Sequence, residues 1–191
     1  MDKDILKNII DDYERDILGN RYTLFLSNSD TLSFCIEKDN IPHLLGVRKL
    51  PLRQVQNKSA QAVYAMLKDG RININHIAPY RESYKKAMNF SHLISILHCG
   101  DAVKIVKRIG TLNSSYLLFL DHRPQEIIHL GLAEDYSGQW HPESLLVLRR
   151  NVTSYIDGQL PVDIIKMEVT DARVLAKCHD TYRDTGGIEL G

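Results

Sequence analysis

The first apolar positions recur every four residues: Ile5, Ile9, Tyr13 and Ile17, with Leu6 and Ile10 broadening the stripe. That period turns one face of a helix toward a core, and Gly19-Asn20 supplies a stop. The pattern then changes to alternation. Residues 22–27 and 31–36 predict two strands, the second carrying Leu32, Phe34 and Ile36 between smaller or more polar neighbours. Asn28-Ser29-Asp30 between them has turn composition, so the pair forms a hairpin. In residues 40–46, Pro42 close behind an Asn40 cap predicts a short helical turn carrying His43. Further helices are predicted over 59–67, ending near Gly70, and over 81–97. The second of these has Tyr84, Met88, Leu93 and Leu97 on its stripe and stops at Cys99-Gly100.

Beyond Gly100 the period shortens. Residues 103–109, 115–120, 127–132, 145–148 and 162–169 are short β-rich runs, parted by turn signals at Gly110, Asp121 to Pro124, Ser137-Gly138 and Asp157-Gly158. Runs joined so briefly predict an antiparallel meander, and no crossover helix fits between them, which excludes a doubly wound parallel sheet. One more helix is expected from Asp171 to Cys178, with Gly186-Gly187 marking a frayed end. No repeat, low-complexity tract or linker divides the chain. Residues 1–191 read as one α+β domain, with N-terminal helices and a β-hairpin packed on a C-terminal antiparallel sheet of four or five strands.

Composition adds limits to this picture. Lys plus Arg and Asp plus Glu both number 24, which argues against coating nucleic acid through bulk charge while leaving room for a local basic groove. The 3 cysteines are widely spaced and form neither a disulfide framework nor a CxxC pattern, so a reducing compartment is expected. Met1-Asp2-Lys3-Asp4 leads into an amphipathic segment rather than an apolar run, and no stretch approaches the roughly 18 apolar residues of a membrane span. A cytoplasmic location without membrane contact is the expectation.

Several motifs are missing: no phosphate loop, GxGxxG, HExxH or GxSxG occurs. His92, His98 and Cys99 match no familiar zinc spacing, and the adjacent Cys178-His179 point apart on a helix, so no metal or cofactor is expected. Nucleotide transfer on magnesium would need a carboxylate pair; Asp121 is isolated and Glu134-Asp135 has no partner pair. Arg71 to His76 matches the loose R-x4-H signature of the HEPN ribonucleases, but that fold is all-helical. It stands as a minor alternative using Arg71 and His76.

Two stretches are more distinctive: residues 40–50, NIPHLLGVRKL, and residues 140–147, WHPESLLV, the latter followed by Arg149-Arg150-Asn151 and by Tyr155 and Gln159. With the hairpin ahead of His43, this arrangement resembles a phage-associated family of Barnase–EndoU–colicin–RelE-like (BECR) nucleases over roughly residues 20–170. There a hairpin leads into a segment like FxHLLGLxKL, and a late strand opens with Pro-x-(Ser or Thr). The resemblance implies helices on an antiparallel sheet that binds RNA, and metal-independent endoribonuclease chemistry in which the RNA's own 2′-hydroxyl attacks phosphorus. Such chemistry needs a base, an acid, and cations or donors around the phosphorane.

Carried onto this chain, the pattern singles out His43 as acid or base, Lys49 as a phosphate contact and Ser144 as a hydroxyl donor. Histidine suits proton transfer near neutrality, and Lys or Arg suits phosphate. His141, three residues before Ser144 at a strand entry, is expected to be the second proton-transfer group, although the pattern does not require it. Tyr136 and Trp140 are candidate stacking surfaces for a base, and Arg149 or Arg150 adds charge, alternation allowing only one to face the groove. Each has a plainer reading. A histidine behind a proline also caps or packs, Lys49 and the arginines also serve as solvated charges, Ser144 also makes turn bonds, His141 also sits in an exposed loop, and the aromatic pair also packs a strand edge. The expected partners are RNA and a neutralising antitoxin or immunity protein. The competing reading is a catalytically inactive RNA- or protein-binding module on the same scaffold.

Overall fold

The computed structural model describes residues 5–123, 126–149 and 155–171. The chain opens with helix α1 (Ile5–Asp16), which buries Leu6, Ile10 and Tyr13, the stripe read from the sequence. Strands β1 (Asn20–Leu26) and β2 (Thr31–Cys35) form the expected hairpin in antiparallel register, Tyr22 opposite Phe34 and Leu24 opposite Leu32. Helix α2 (Asn40–Leu44) follows, with Asp39 rather than Asn40 at the N-cap position and no side-chain cap; the Asn40 side chain instead accepts the Glu37 amide at 2.6 Å. A 3₁₀ turn, Val47–Lys49, leads on to α3 (Ala60–Lys68), whose Ser59 side chain accepts the Ala62 amide. The short α4 (Ile74–Ile77) had no counterpart in the sequence reading.

The helix expected over 81–97 is two helices, α5 (Arg81–Met88) and α6 (His92–Cys99). Asn89 causes the break. Its buried side-chain amide donates to the Lys85 carbonyl at 2.9 Å, and such local bonding competes with helix continuation. The Phe90 amide then turns back to the Ala87 carbonyl.

The second half supplies β3 (Asp101–Lys104), β4 (Tyr116–Arg123), β5 (Glu126–Glu134), β6 (Trp140–Arg149), β7 (Leu160–Val162) and β8 (Ile164–Asp171). A five-stranded antiparallel sheet has the order β6-β5-β4-β3-β7, which agrees with the expected α+β class and strand number. Two details differ from a simple meander. The run expected over 103–109 stops at Lys104, because the amides of Val106 and Lys107 are taken by the Gln159 side chain rather than by a strand. The run expected over 162–169 splits, and β8 leaves the main sheet to pair with β1, giving a second sheet ordered β2-β1-β8. Alternation identifies a strand but not its partner.

The interior strand β5, between β6 and β4, is buried along most of its length. One face of the main sheet (Tyr116, Leu118, Ile128, Leu130, Leu132, Leu145, Val147) joins the side chains of the hairpin and helices in one core. The hairpin is fastened to this sheet through Asp30, which accepts Lys104 Nζ at 2.8 Å, Asn28 Nδ2 at 2.9 Å and the Tyr116 hydroxyl. Helices α2 and α5 lie against β6, an edge strand of the main sheet. The expected C-terminal helix and Gly186-Gly187 lie outside the described residues. Among the described residues no helix is long and apolar enough to cross a membrane.

Candidate active site

An open cavity of about 470 Å³ lies where α2, α5, β6 and the loop around Gly110 meet. His43, Lys49, Lys86, Glu143, Ser144 and Tyr155 supply its polar lining, and Ile109, Leu112 and Leu146 part of its apolar wall. Its volume is in the range of ligand sites.

Local rules bring these groups together. Ile41, Pro42 and Leu44 are the buried side of α2, which leaves His43 half-buried on the other side. Gly46 then reverses the chain with φ at +71°, a conformation that favours glycine. A Cβ there would come within 3.0 Å of the Ser83 hydroxyl on α5. This close approach sets the turn bearing Lys49 beside the helix bearing Lys86. Across the cavity, Ser144 stands opposite Gly131 on the neighbouring strand, and its Oγ is fully buried with no hydrogen-bond partner among the described residues.

The electrostatics are those of an anion site. His43 has its pKa lowered, first by burial and then by the positive charges of Lys49 and Lys86; Glu143 opposes them. Lys86 is also lowered, by burial first and by Lys49 second. Two ammonium groups and an imidazole crowd a space that an incoming negative charge would relieve, while Ser144 Oγ is closed to solvent in the cavity wall, without a hydrogen-bond partner among the described residues.

The structure therefore brings His43, Lys49 and Ser144 onto one cavity. His141 lines a different one, of about 890 Å³, together with Trp140, Arg21, Glu37 and Asn40. The Trp140 ring meets Tyr116 edge-on, with centroids 5.6 Å apart, and packs against the core. Tyr136 is wholly exposed at the β5–β6 turn, where the Asp135 carboxylate accepts Ser137 and Gln139 amides. Arg149 is exposed at the end of β6 opposite Glu126. Arg150 lies outside the described residues.

The pair proposed for a HEPN site has other work. His76 Nδ1 accepts the Asn73 amide in a capping box, and Arg71 pairs with Asp69 at 2.9 Å. The two-sheet fold is also incompatible with an all-helical one, so that alternative is withdrawn. Lys86 and Glu143 were not among the residues expected at the site, and Tyr155 had no expected role. Nothing distinguishes Lys86 from any helical lysine in sequence. Gly131 within an apolar run was a readable sign of close approach at Ser144.

A helical layer and hairpin around an antiparallel sheet, with a histidine, two lysines and a hydroxyl converging at its edge, define a nuclease-like scaffold. The chain belongs to the family described as phage-Barnase-EndoU-ColicinE5/D-RelE like nuclease4, whose model matches residues 5–183. Neither the curated proteins nor the solved structures gave a match.

Proposed function

We propose that the chain is a metal-independent endoribonuclease that cleaves RNA through attack of the 2′-hydroxyl on the adjacent phosphorus. The observation that supports this reading is the convergence of His43, Lys49, Lys86 and Ser144 on one cavity. In it His43 moves a proton, Lys49 and Lys86 hold the scissile phosphate, and Ser144 donates to a phosphate oxygen. Tyr155, Leu112 and Leu146 offer a base an apolar wall on which to rest. Arg48, exposed beside Lys49, extends the positive rim for the flanking backbone. Within the phage-associated family, the activity fits a toxin or host-attack role in which a partner protein neutralises the chain by covering this cavity.

The test compares purified wild type with His43→Ala on RNA in the presence of EDTA. Wild type is expected to cleave and the variant to lose about 100- to 10,000-fold in rate. Equal rates would remove His43 from the mechanism. Binding of RNA by wild type without cleavage would put the chain among non-catalytic binding modules.

A further inference from the structure

Cleavage by this route needs two proton movements, and His43 supplies one. The second group is indicated by an irregularity in β6. Gly131 pairs with Ser144 but the next residue, Leu132, pairs with Pro142, so Glu143 is the extra residue of a β-bulge. In a regular strand Glu143 and Ser144 would face opposite sides; here both line the same cavity. The opposing strand is shaped to allow this. A Cβ on Gly131 would fall 2.3 Å from Ser114 Oγ and 2.7 Å from Ser144 Oγ, so only glycine leaves space for the two hydroxyls. Ser114, itself buried, donates a long hydrogen bond of 3.4 Å to Glu143 Oε2 and so steers the carboxylate. Bulges near active sites commonly re-aim a side chain in this way.

We propose that Glu143 is the second proton-transfer group of this site, acting as the base while protonated His43 acts as the acid. The 2′-hydroxyl gives its proton to the Glu143 carboxylate as the O2′–P bond forms. The P–O5′ bond breaks as O5′ takes the proton from His43. The products are a 2′,3′-cyclic phosphate and a 5′-hydroxyl end, and solvent returns both groups to their starting states. An ionised carboxylate can only accept, which suits the base. Burial first, and then the charges of Lys49 and Lys86, lower the proton affinity of the His43 imidazole, so its protonated form is the stronger acid. This assignment rests on the reading of the chain as an RNA-cleaving enzyme, and it moves the role expected of His141 to a residue two positions away.

The experiment uses Glu143→Gln, Glu143→Asp and His43→Ala on two substrates. One is an RNA oligonucleotide, and the other is the same oligonucleotide with sulfur in place of the scissile 5′-bridging oxygen. A thiolate leaves without an acid. Both Glu143→Gln and His43→Ala should lose about 100-fold or more on ordinary RNA. On the sulfur substrate His43→Ala should recover to within about tenfold of wild type while Glu143→Gln stays slow. Glu143→Asp, which keeps the carboxylate, should recover part of the lost rate on both. The pH profile of kcat/KM should be bell-shaped for wild type and lack its acid limb in Glu143→Gln. Near-wild-type cleavage by Glu143→Gln, alongside an inactive His43→Ala, would overturn the assignment and leave the nuclease reading intact. Rescue of Glu143→Gln rather than His43→Ala by sulfur would overturn the division of roles. An acid limb that persists in Glu143→Gln and vanishes in His141→Gln would return the role to His141. No cleavage by wild type would overturn both readings.

Discussion

His129 sits on β5 with none of its surface exposed, and neither ring nitrogen has a hydrogen-bond partner among the described residues. Its ring lies between Phe119 and Tyr155, with centroids 6.1 and 6.2 Å away. Burial pushes its pKa down from 6.5 to about 4; the nearby Leu146 backbone opposes this without reaching hydrogen-bond geometry with the ring. In the unfolded chain the imidazole regains its ordinary affinity for a proton. Between the ordinary value and about 4, the unfolded state therefore binds more protons than the folded state, and stability falls as pH falls. At 1.36 kcal/mol per unit the whole penalty is about 3 kcal/mol, and about 2 kcal/mol of it develops between pH 7 and pH 5. Replacing His129 by Leu removes the titrating group. It also removes two buried, unpartnered nitrogens, a gain of about 1–3 kcal/mol offset by an imperfect fit of up to about 1.5 kcal/mol. The variant should match or exceed wild type at pH 7. Urea denaturation at pH 7 and pH 5 should show wild type losing about 2 kcal/mol more than His129→Leu over that interval. Carboxylates with lowered pKa values, such as Asp30 and Asp135, are common to both proteins and cancel in the difference. Equal losses by the two proteins would refute the buried, neutral histidine.

Two further perturbations follow from the cavity. Lys86→Met keeps most of the stem but removes a charge, so KM for RNA should rise and the slope of log KM against log salt should fall by about one, measured by steady-state kinetics at several salt concentrations. The same change removes a positive neighbour of His43, so the basic limb of the pH profile should move to higher pH; a fixed limb would mean that Lys86 does not act on the imidazole. Gly131→Ala forces Ser114 or Ser144 to shift, and should cost about 1–3 kcal/mol by denaturation together with most of the cleavage activity. Full activity in that variant would show that the packed hydroxyls and the bulge are not needed for the reaction.

The sequence made the first half of the site readable because its signals are local. Alternation through Leu32, Phe34 and Ile36 marks the strand before α2, and the Pro42-His43 run marks the turn that carries the imidazole. What depends on register was hidden. Alternation alone would turn Glu143 and Ser144 to opposite sides, and the bulge that aligns them comes from pairing with a strand a dozen residues earlier. His141 looked better placed than Glu143 for the same reason. Lys86 reaches the cavity only because Gly46 and Ser83 bring two segments within contact, a long-range event with no sequence signature. The transfer of β8 to the hairpin sheet was equally hidden, since its apolar pattern serves either partner.

The most direct test of the account is the chemistry at the cut. An RNA oligonucleotide and its counterpart with 2′-deoxyribose on the 5′ side of every phosphate are incubated with the purified chain and EDTA, and the product ends are read by mass spectrometry. Expected are 2′,3′-cyclic phosphate and 5′-hydroxyl ends from the RNA and an intact deoxy counterpart. Cleavage of the deoxy strand, or activity on RNA that EDTA abolishes, would contradict it.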